Sequence, residues 1–329
     1  MRTVSIIIPC YNESLTILLL LEAIYAQTYP RSSLEVIIAD GLSTDCTRQV
    51  IQSYLDDHSE FNVRIVDNPL RNIPSALNTA LSHSSGDIII RLDAHCVPQA
   101  DYVQRCVQDL ERGLGTTVGG VWDIRPGGKS WIARAIAVAA SHPLGVGDAR
   151  YRYSSKAGSV DTVPFGAYHR SLLDQIGRYD PTLLTNEDYE FNTRVRKNGG
   201  TVWLDPSIRS IYYARSGFAD LAKQYWRYGF WKFRMLQRYP ATLRWRQALP
   251  PLFLTSLVGL GIAAPFFSAA RILLSVDVGI YLAGLVISGI LAAYTQRDWT
   301  LLIGLPPGIA LMHFSWGAGF LWSFLRHDT

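Results

Sequence analysis

The chain has 329 residues, close to half of them hydrophobic, and a formal net charge of only +4. That length leaves room for more than one folding unit, and so small an excess of positive charge gives no basis for nucleic-acid binding, which needs a basic face against phosphates. The four cysteines, Cys10, Cys46, Cys96 and Cys106, include no Cys-x-x-Cys pair, so they read as reduced structural thiols rather than a disulfide framework or a zinc site.

The first run, Val4–Pro9 (VSIIIP), is β-branched without helical periodicity and reads as a buried parallel strand; no signal peptide is expected before it. Tyr11-Asn12-Glu13-Ser14 follows, with Ser14 placed to cap an amphipathic helix from Leu15 to Gln27. A second strand, Leu34–Ala39, ends in Asp40-Gly41, and Ser43-Thr44-Asp45 opens a helix running to Tyr54. Val63–Val66 is a third strand, Ile73–Ser82 a helix, and Asp87–Leu92 a fourth strand. Alternation at this spacing implies βαβ units and a mostly parallel sheet with helices on both faces, an α/β fold that binds ligands at the carboxyl ends of its strands.

Those ends carry polar residues: Asn12 and Glu13, Asp40 and Asp45, Asp67 and Arg71, Asp93 and His95. No G-x-G-x-x-G follows the first strand and no P-loop occurs, which argues against a dinucleotide dehydrogenase and an ATPase. In Arg91-Leu-Asp-Ala-His95 a carboxylate and an imidazole stand one residue apart at a strand end. Such a pair either holds a divalent cation, and through it a diphosphate, or simply ends the strand. Trp131–Ser141 reads as an amphipathic helix at a membrane surface or as a buried core helix. Glu187-Asp188 precedes a helix expected over Tyr189–Asn198 and stopped by Gly199-Gly200.

Beyond Arg246 charge nearly vanishes, with only Arg271, Asp277, Arg297, Asp298, Arg326 and Asp328 after Pro251. The cluster Lys232, Arg234, Arg238, Arg244 and Arg246 just before has the character of a cytoplasmic juxtamembrane segment. Leu252–Ala270, Val278–Thr295 and Trp299–Leu325 approach the roughly 20 apolar residues that a bilayer requires, the alternative being a buried helical core. Pro306-Pro307-Gly308 makes the third either a kinked span or a re-entrant hairpin. The expected organisation is a catalytic domain over 1–235, a basic linker over 236–250, and a membrane region over 251–329 with two to four spans, three being favoured.

Several motifs, in order, carry a family resemblance: Ser5-Ile-Ile-Ile-Pro-Cys-Tyr-Asn-Glu13, Ile38-Ala-Asp-Gly-Leu-Ser-Thr-Asp45, Asn78, Asp93-Ala-His95, Gly119-Gly120, Asn186-Glu187-Asp188 and Gln224-Tyr-Trp-Arg-Tyr228. With them the chain resembles the family 2, GT-A-type inverting glycosyltransferases, and its apolar tail looks most like the succinoglycan-type members, which extend lipid-linked sugars for exopolysaccharide. The resemblance implies a GT-A fold with C-terminal transmembrane helices, on the cytoplasmic face of the inner membrane. It assigns Asp40 and the loop of Pro9, Tyr11 and Glu13 to the uracil and ribose of a UDP-sugar, and Arg71 to counter-charge, although Asp40 as a turn cap and Arg71 as a solvated side chain are the plain readings.

In the same resemblance Asp93-Ala-His95 stands at the D-x-D position, with histidine replacing the second aspartate. Asp93 and His95 would hold Mn²⁺ or Mg²⁺, the imidazole favouring Mn²⁺. Asp188 would be the catalytic base and Glu187 its neighbour in the pocket, both also suiting a helix first turn by charge. Gln224 and Arg227 belong to a Q-x-x-R-W-like signature in which Tyr228 replaces tryptophan, Arg227 gripping the diphosphate; an interfacial aromatic belt accounts for the same composition. Trp122 and Asp123 would line the donor or acceptor pocket, and Phe165–Arg170 the acceptor side.

The activity implied is transfer of a hexose, glucose first, from a UDP-sugar to a polyprenyl-diphosphate-linked sugar. The chain's partners would be the bilayer and other glycan-assembly proteins, with no nucleic acid. Direct glycosylation of a lipid such as a polyprenyl phosphate or diacylglycerol, and a non-catalytic scaffold, are the alternatives.

Overall fold

A computed structural model of the protein describes residues 1–326. The chain divides into two compact units, the first made of residues 1–123 and 150–212, the second of 124–149 and 213 onward.

The first unit is built on a nine-stranded sheet. Its N-terminal half follows the expected alternation: β1 (Val4–Cys10), α1 (Ile17–Tyr25), β2 (Leu34–Asp40), α2 (Thr47–Asp57), β3 (Val63–Asp67), α3 (Ile73–Ser82) and β4 (Ile88–Arg91). β1 pairs in parallel with β2 and β4, and β2 with β3, so Cys10, Asp40 and Asp67 come out at one end in register. These strands read as unbroken apolar runs because both faces are covered. Ile6 and Ile8 pack with Leu20, Leu21 and Ile24 on one side, whereas Ile7 and Ile37 pack with Leu77 and Leu81 on the other. Each such fully buried aliphatic contributes about 1.5–3 kcal/mol.

The second half of the sheet adds antiparallel strands that the alternation did not announce. β5 (Cys96–Pro98) is followed by α4 (Tyr102–Glu111), β6 (Thr117–Arg125), β7 (Gly158–Ser159), β8 (Ala167–His169), α7 (Leu172–Ile176), α8 (Glu187–Lys197) and β9 (Val202–Tyr213). The strand order is β3-β2-β1-β4-β8-β6-β9-β5, with β7 on β9. β8 pairs antiparallel with β4 and β6, and β9 with β5 and β7. Gly120 on β6 lies where any side chain would run into the backbone of Ile208 on β9, so only glycine lets the two strands close there.

Three local expectations need correction. α1 starts at Ile17 with Thr16 as N-cap, and Ser14 caps nothing; its N–H donates to Asp45 instead. α8 begins two residues before the expected Tyr189, so Glu187 and Asp188 lie inside its first turn. The third apolar stretch is one continuous helix rather than a re-entrant hairpin.

The second unit contains α5 (Trp131–Ser141), α6 (Pro143–Val146), α9 (Phe218–Arg238), α10 (Trp245–Ala263), α11 (Ser268–Gln296) and α12 (Leu301–Leu325). Of these, α11 and α12 are long and apolar enough to cross a membrane. α11 keeps Ile280, Val286 and Leu291 on its outer surface. α5 buries its alanines, Ala135 packing at Gly304 and Ala139 near Gly308 of α12, so the core-helix reading of Trp131–Ser141 fits this packing. Small residues also set the crossing of α9 and α12, with Gly229 against the Trp316 backbone and Gly319 against that of Trp226.

Pro306 and Pro307 sit inside α12, and Gly289 of α11 faces both the Pro306 ring and the Leu302 carbonyl. Specific polar bonds also join elements of this unit. Asp277 accepts from Ser256 Oγ at 2.6 Å, Tyr281 Oη lies 3.1 Å from His313 Nδ1, and His313 Nε2 lies 2.9 Å from the Leu144 carbonyl.

Candidate active site

Every expected site residue of the first unit stands at or near the carboxyl ends of β1, β2, β3, β4 and β6 or the start of α8. Pro9 is the next-to-last residue of β1, opposite Ala39. Tyr11 follows, 44 % exposed, with its ring laid over Gly41, where an added Cβ would come within 3.0 Å of the ring. The β1–α1 and β2–α2 loops are laced together: Asn12 N–H donates to Ser43 Oγ at 2.8 Å, and Thr44 N–H to Asn12 Oδ1 at 2.9 Å. Asn12 takes a left-handed φ of 54° to do this.

Asp40 is fully buried and accepts from the Ser43 N–H, the Ser43 hydroxyl and Arg48 Nε. Arg48 also reaches Asp67. These bonds give Asp40 a turn-fixing role whatever else it touches. Asp45 accepts from both the hydroxyl and the N–H of Thr47 at the start of α2, and those bonds hold its carboxyl down to about 2. Arg71 is exposed, with a left-handed φ of 52°.

The centre of the site is a buried guanidinium that the motifs did not single out. Arg91, the last residue of β4, is 2 % exposed. Its Nη2 donates to Asp93 Oδ1 at 2.9 Å and to Glu187 Oε1 at 2.8 Å, and its Nη1 donates to Asp188. One arginine thus gathers three carboxylates from two distant stretches of chain. A buried arginine is tolerated only when so paired, and here its Nε has no partner among the described residues. The sequence signal was available: a charged residue closing the apolar run Ile88-Ile-Ile-Arg91, beside an acidic motif.

Burial drives the Asp188 carboxyl up to about 7, with Glu187 and Asp93 adding to the rise and Arg91 opposing it. Its position in the first turn of α8, after Asn186 in a left-handed conformation (φ 70°), aims it from the helix N-terminus. Beside the quartet, His95 Nδ1 lies 3.0 Å from Glu13 Oε1. The side wall is aromatic: Trp122 stacks on Tyr212 at 4.2 Å, with Tyr151 and Phe165 against its edges and the Arg152 guanidinium 4.9 Å from its ring centre. Trp122 is therefore enclosed by three rings and a guanidinium, and Asp123 is the next residue along β6.

The donor set suits a divalent cation. Asp93 and His95 keep 21 % and 37 % of their side chains exposed, offering one carboxylate and one imidazole, and the acids nearby outnumber Arg91. Among the described residues no group of three or more such side chains closes into a cage. Two protein donors, completed by phosphate oxygens and water, is the pattern of ions that bind together with a nucleotide. Gln224 and Arg227 lie on α9 in the second unit, where Gln224 Nε2 donates to Tyr228 Oη at 2.9 Å and Arg227 is exposed.

Known proteins fit this architecture. A mannosyltransferase from Pyrobaculum calidifontis, solved with GDP-mannose and Mn²⁺, superposes with a TM-score of 0.66 over 98 % of this chain and 87 % of its own, at 21 % identity. Staphylococcus aureus TarS, solved with UDP, gives 0.51 over 99 % and 92 % at 12 % identity. These likenesses establish the GT-A fold. In sequence the chain is 28 % identical over its whole length to a Methanococcus voltae dolichyl N-acetyl-α-D-glucosaminyl phosphate 3-β-D-2,3-diacetamido-2,3-dideoxy-β-D-glucuronosyltransferase, matching 99 % of that protein. It is 29 % identical to the succinoglycan biosynthesis protein ExoA of Rhizobium meliloti, over 96 % of this chain and 93 % of the relative. The sequence profile of Glycosyl transferase family 2 matches residues 5–177, more than half of the chain, and with the sheet and its acidic strand ends this places the protein in the family 2 glycosyltransferases.

Proposed function

We propose that the protein is a membrane-associated, inverting hexosyltransferase that moves a sugar, glucose first among the candidates, from a UDP-sugar to a lipid-linked sugar acceptor. The carrying observation is the Arg91 quartet, which ties Asp188 to Asp93 of the donor motif through one guanidinium. Inversion needs one carboxylate to accept the acceptor hydroxyl's proton while its oxygen attacks the anomeric carbon and the bond to the nucleoside diphosphate breaks. Asp188 takes that role, with one oxygen held by Arg91 and a carboxyl that titrates near neutrality.

Pro9 and Tyr11 receive the uracil, Asp40 the base or ribose, and Arg71 the diphosphate. Trp122 and Asp123 border the sugar, with Glu187 beside the pocket; for Gln224 and Arg227 the family resemblance alone supports a role at the donor. Asp93 and His95 would hold a divalent cation, Mn²⁺ in preference to Mg²⁺, which when bound supplies charge neutralisation of the leaving diphosphate.

The acceptor reading draws on the relatives, one named for transfer to a dolichyl-linked sugar and one for succinoglycan biosynthesis. It also draws on α11 and α12, since an enzyme held at the bilayer meets a lipid-bound acceptor at high effective concentration. A catalytic domain over 1–235 facing the cytoplasm, a basic linker over 236–250 and a multi-pass anchor over 251–329 complete the proposal, the basic residues before Leu252 supporting the orientation. The test is a screen of labelled UDP- and GDP-sugars against extracted lipid-linked intermediates, with Asp188→Asn as control. Transfer lost by roughly 10²–10⁴-fold in that variant supports the base. Transfer onto a bare polyprenyl phosphate or diacylglycerol would replace the acceptor, and no turnover with any donor would leave a scaffold.

A further inference from the structure

Glu13 was assigned above to the nucleotide, but its carboxylate is committed elsewhere. Oε1 lies 3.0 Å from His95 Nδ1, and Oε2 accepts the Thr16 hydroxyl at 2.5 Å. The Glu13 backbone N–H is fixed in turn by Thr47 Oγ1 at 2.8 Å. Three residues from the β1–α1 turn and the β4–β5 turn thus form a line, Thr16 to Glu13 to His95.

An ionised carboxylate can only accept, so Nδ1 must carry the proton in this pair. In the neutral ring the lone pair then belongs to Nε2. The His95 side chain is 37 % exposed, so it is open to solvent at the strand end. A carboxylate behind an imidazole fixes the tautomer, fixes the ring plane and makes the far nitrogen a better ligand.

We propose that Glu13 is a positioning residue for His95 rather than a nucleotide ligand: with Thr16 it holds the imidazole as the Nδ1–H tautomer and presents Nε2 to a divalent cation. The inference rests on the reading of His95 as a metal ligand. It supplies what a histidine in place of a second carboxylate requires, because an imidazole has a tautomer to be fixed and a carboxylate has none.

The test is Mn²⁺ affinity by electron paramagnetic resonance on the full-length protein in detergent, with UDP present. Glu13→Gln should weaken Mn²⁺ binding by about 10–100-fold, the usual effect of losing such an outer partner. Thr16→Val should move it in the same direction by less. His95→Ala should lose at least as much as Glu13→Gln, and the double variant no more than His95→Ala alone. UDP affinity in EDTA should be equal in wild type and Glu13→Gln, which also reports an intact fold.

Wild-type Mn²⁺ affinity in Glu13→Gln, alongside a loss in His95→Ala, overturns the role of Glu13 and leaves that of His95. Wild-type affinity in His95→Ala overturns the metal reading of His95 and this inference with it. A folded Glu13→Gln protein, judged by its melting curve, that loses UDP affinity in EDTA returns Glu13 to the nucleotide.

Discussion

Arg91 shows how much of a candidate site can rest on one buried guanidinium. With three carboxylates on one buried guanidinium, its removal leaves like charges facing one another in a poorly solvated pocket. Breaking a buried ion pair from one side costs about 3–5 kcal/mol. Arg91→Met should therefore lower the melting temperature markedly, and Arg91→Lys, with one point charge for a planar fork, should recover part of the stability but little of the turnover. Calorimetry and a UDP-release assay on the pair of variants check this. Asp188 adds a pH dependence. A base must be ionised, and burial with its acidic neighbours has raised this carboxyl to about 7. The log of kcat/KM should rise with slope near one as pH climbs toward about 7 and level off above it, a profile read directly from initial rates.

At the scale of elements, the N-terminal strands were legible because a parallel sheet buried on both faces writes itself as unbroken runs such as VSIIIPC and LEVIIAD. β5 and β8, of three residues each, were not, because their pairing depends on partners far along the chain. The start of α8 was misplaced for a related reason. Asn186 is a usual N-cap residue type, but it enters the helix from a left-handed conformation and makes no side-chain cap bond. The acidic first turn was visible, but not that it would meet Arg91.

Another acid pair joins α4 to β9. Burial and a hydrogen bond with Asp205 raise Asp109 to about 6, and its Oδ2 has no partner among the described residues. A carboxyl raised on folding contributes its stability fully below the unfolded value near 4 and loses it as pH climbs through about 6. Asp205 is shifted the other way, so its effect falls at lower pH. Asp109→Asn should keep the shared bond and remove the penalty, raising the melting temperature at pH 8 relative to wild type by about 2–4 °C, on the order of 1 kcal/mol, with no gain at pH 4. Thermal melts of the two proteins across that range decide it.

For the whole molecule, composition separated a charged, mixed α/β portion from an apolar tail, and the structure places an α/β sheet in one unit and long apolar helices in the other. It could not show that α5 and α9, far apart from the tail in composition, would pack with α12. Glycine and alanine at a crossing carry no hydrophobic signal of their own; they matter only when the opposing backbone arrives. The site was legible as residue types at strand ends, since the βα topology puts those ends together. Arg91 and Thr16 were not, because each acts on another side chain and matches no motif.

The proline pair in α12 bears on how the protein is made. Pro306 and Pro307 cannot donate to the carbonyls of Leu302 and Ile303, and in hydrocarbon an unanswered carbonyl is costly. Gly289 of α11 brings a neighbouring helix against the Leu302 carbonyl and the Pro306 ring, so that carbonyl is covered although the Ile303 side chain beside it stays exposed. A lone α12 has no such shelter. Offered singly to the insertion machinery, it should partition poorly, whereas α11 and α12 offered in tandem should enter together. Glycosylation-site mapping of the two fusions in microsomes measures this, and efficient insertion of α12 by itself would mean that its prolines need no escort.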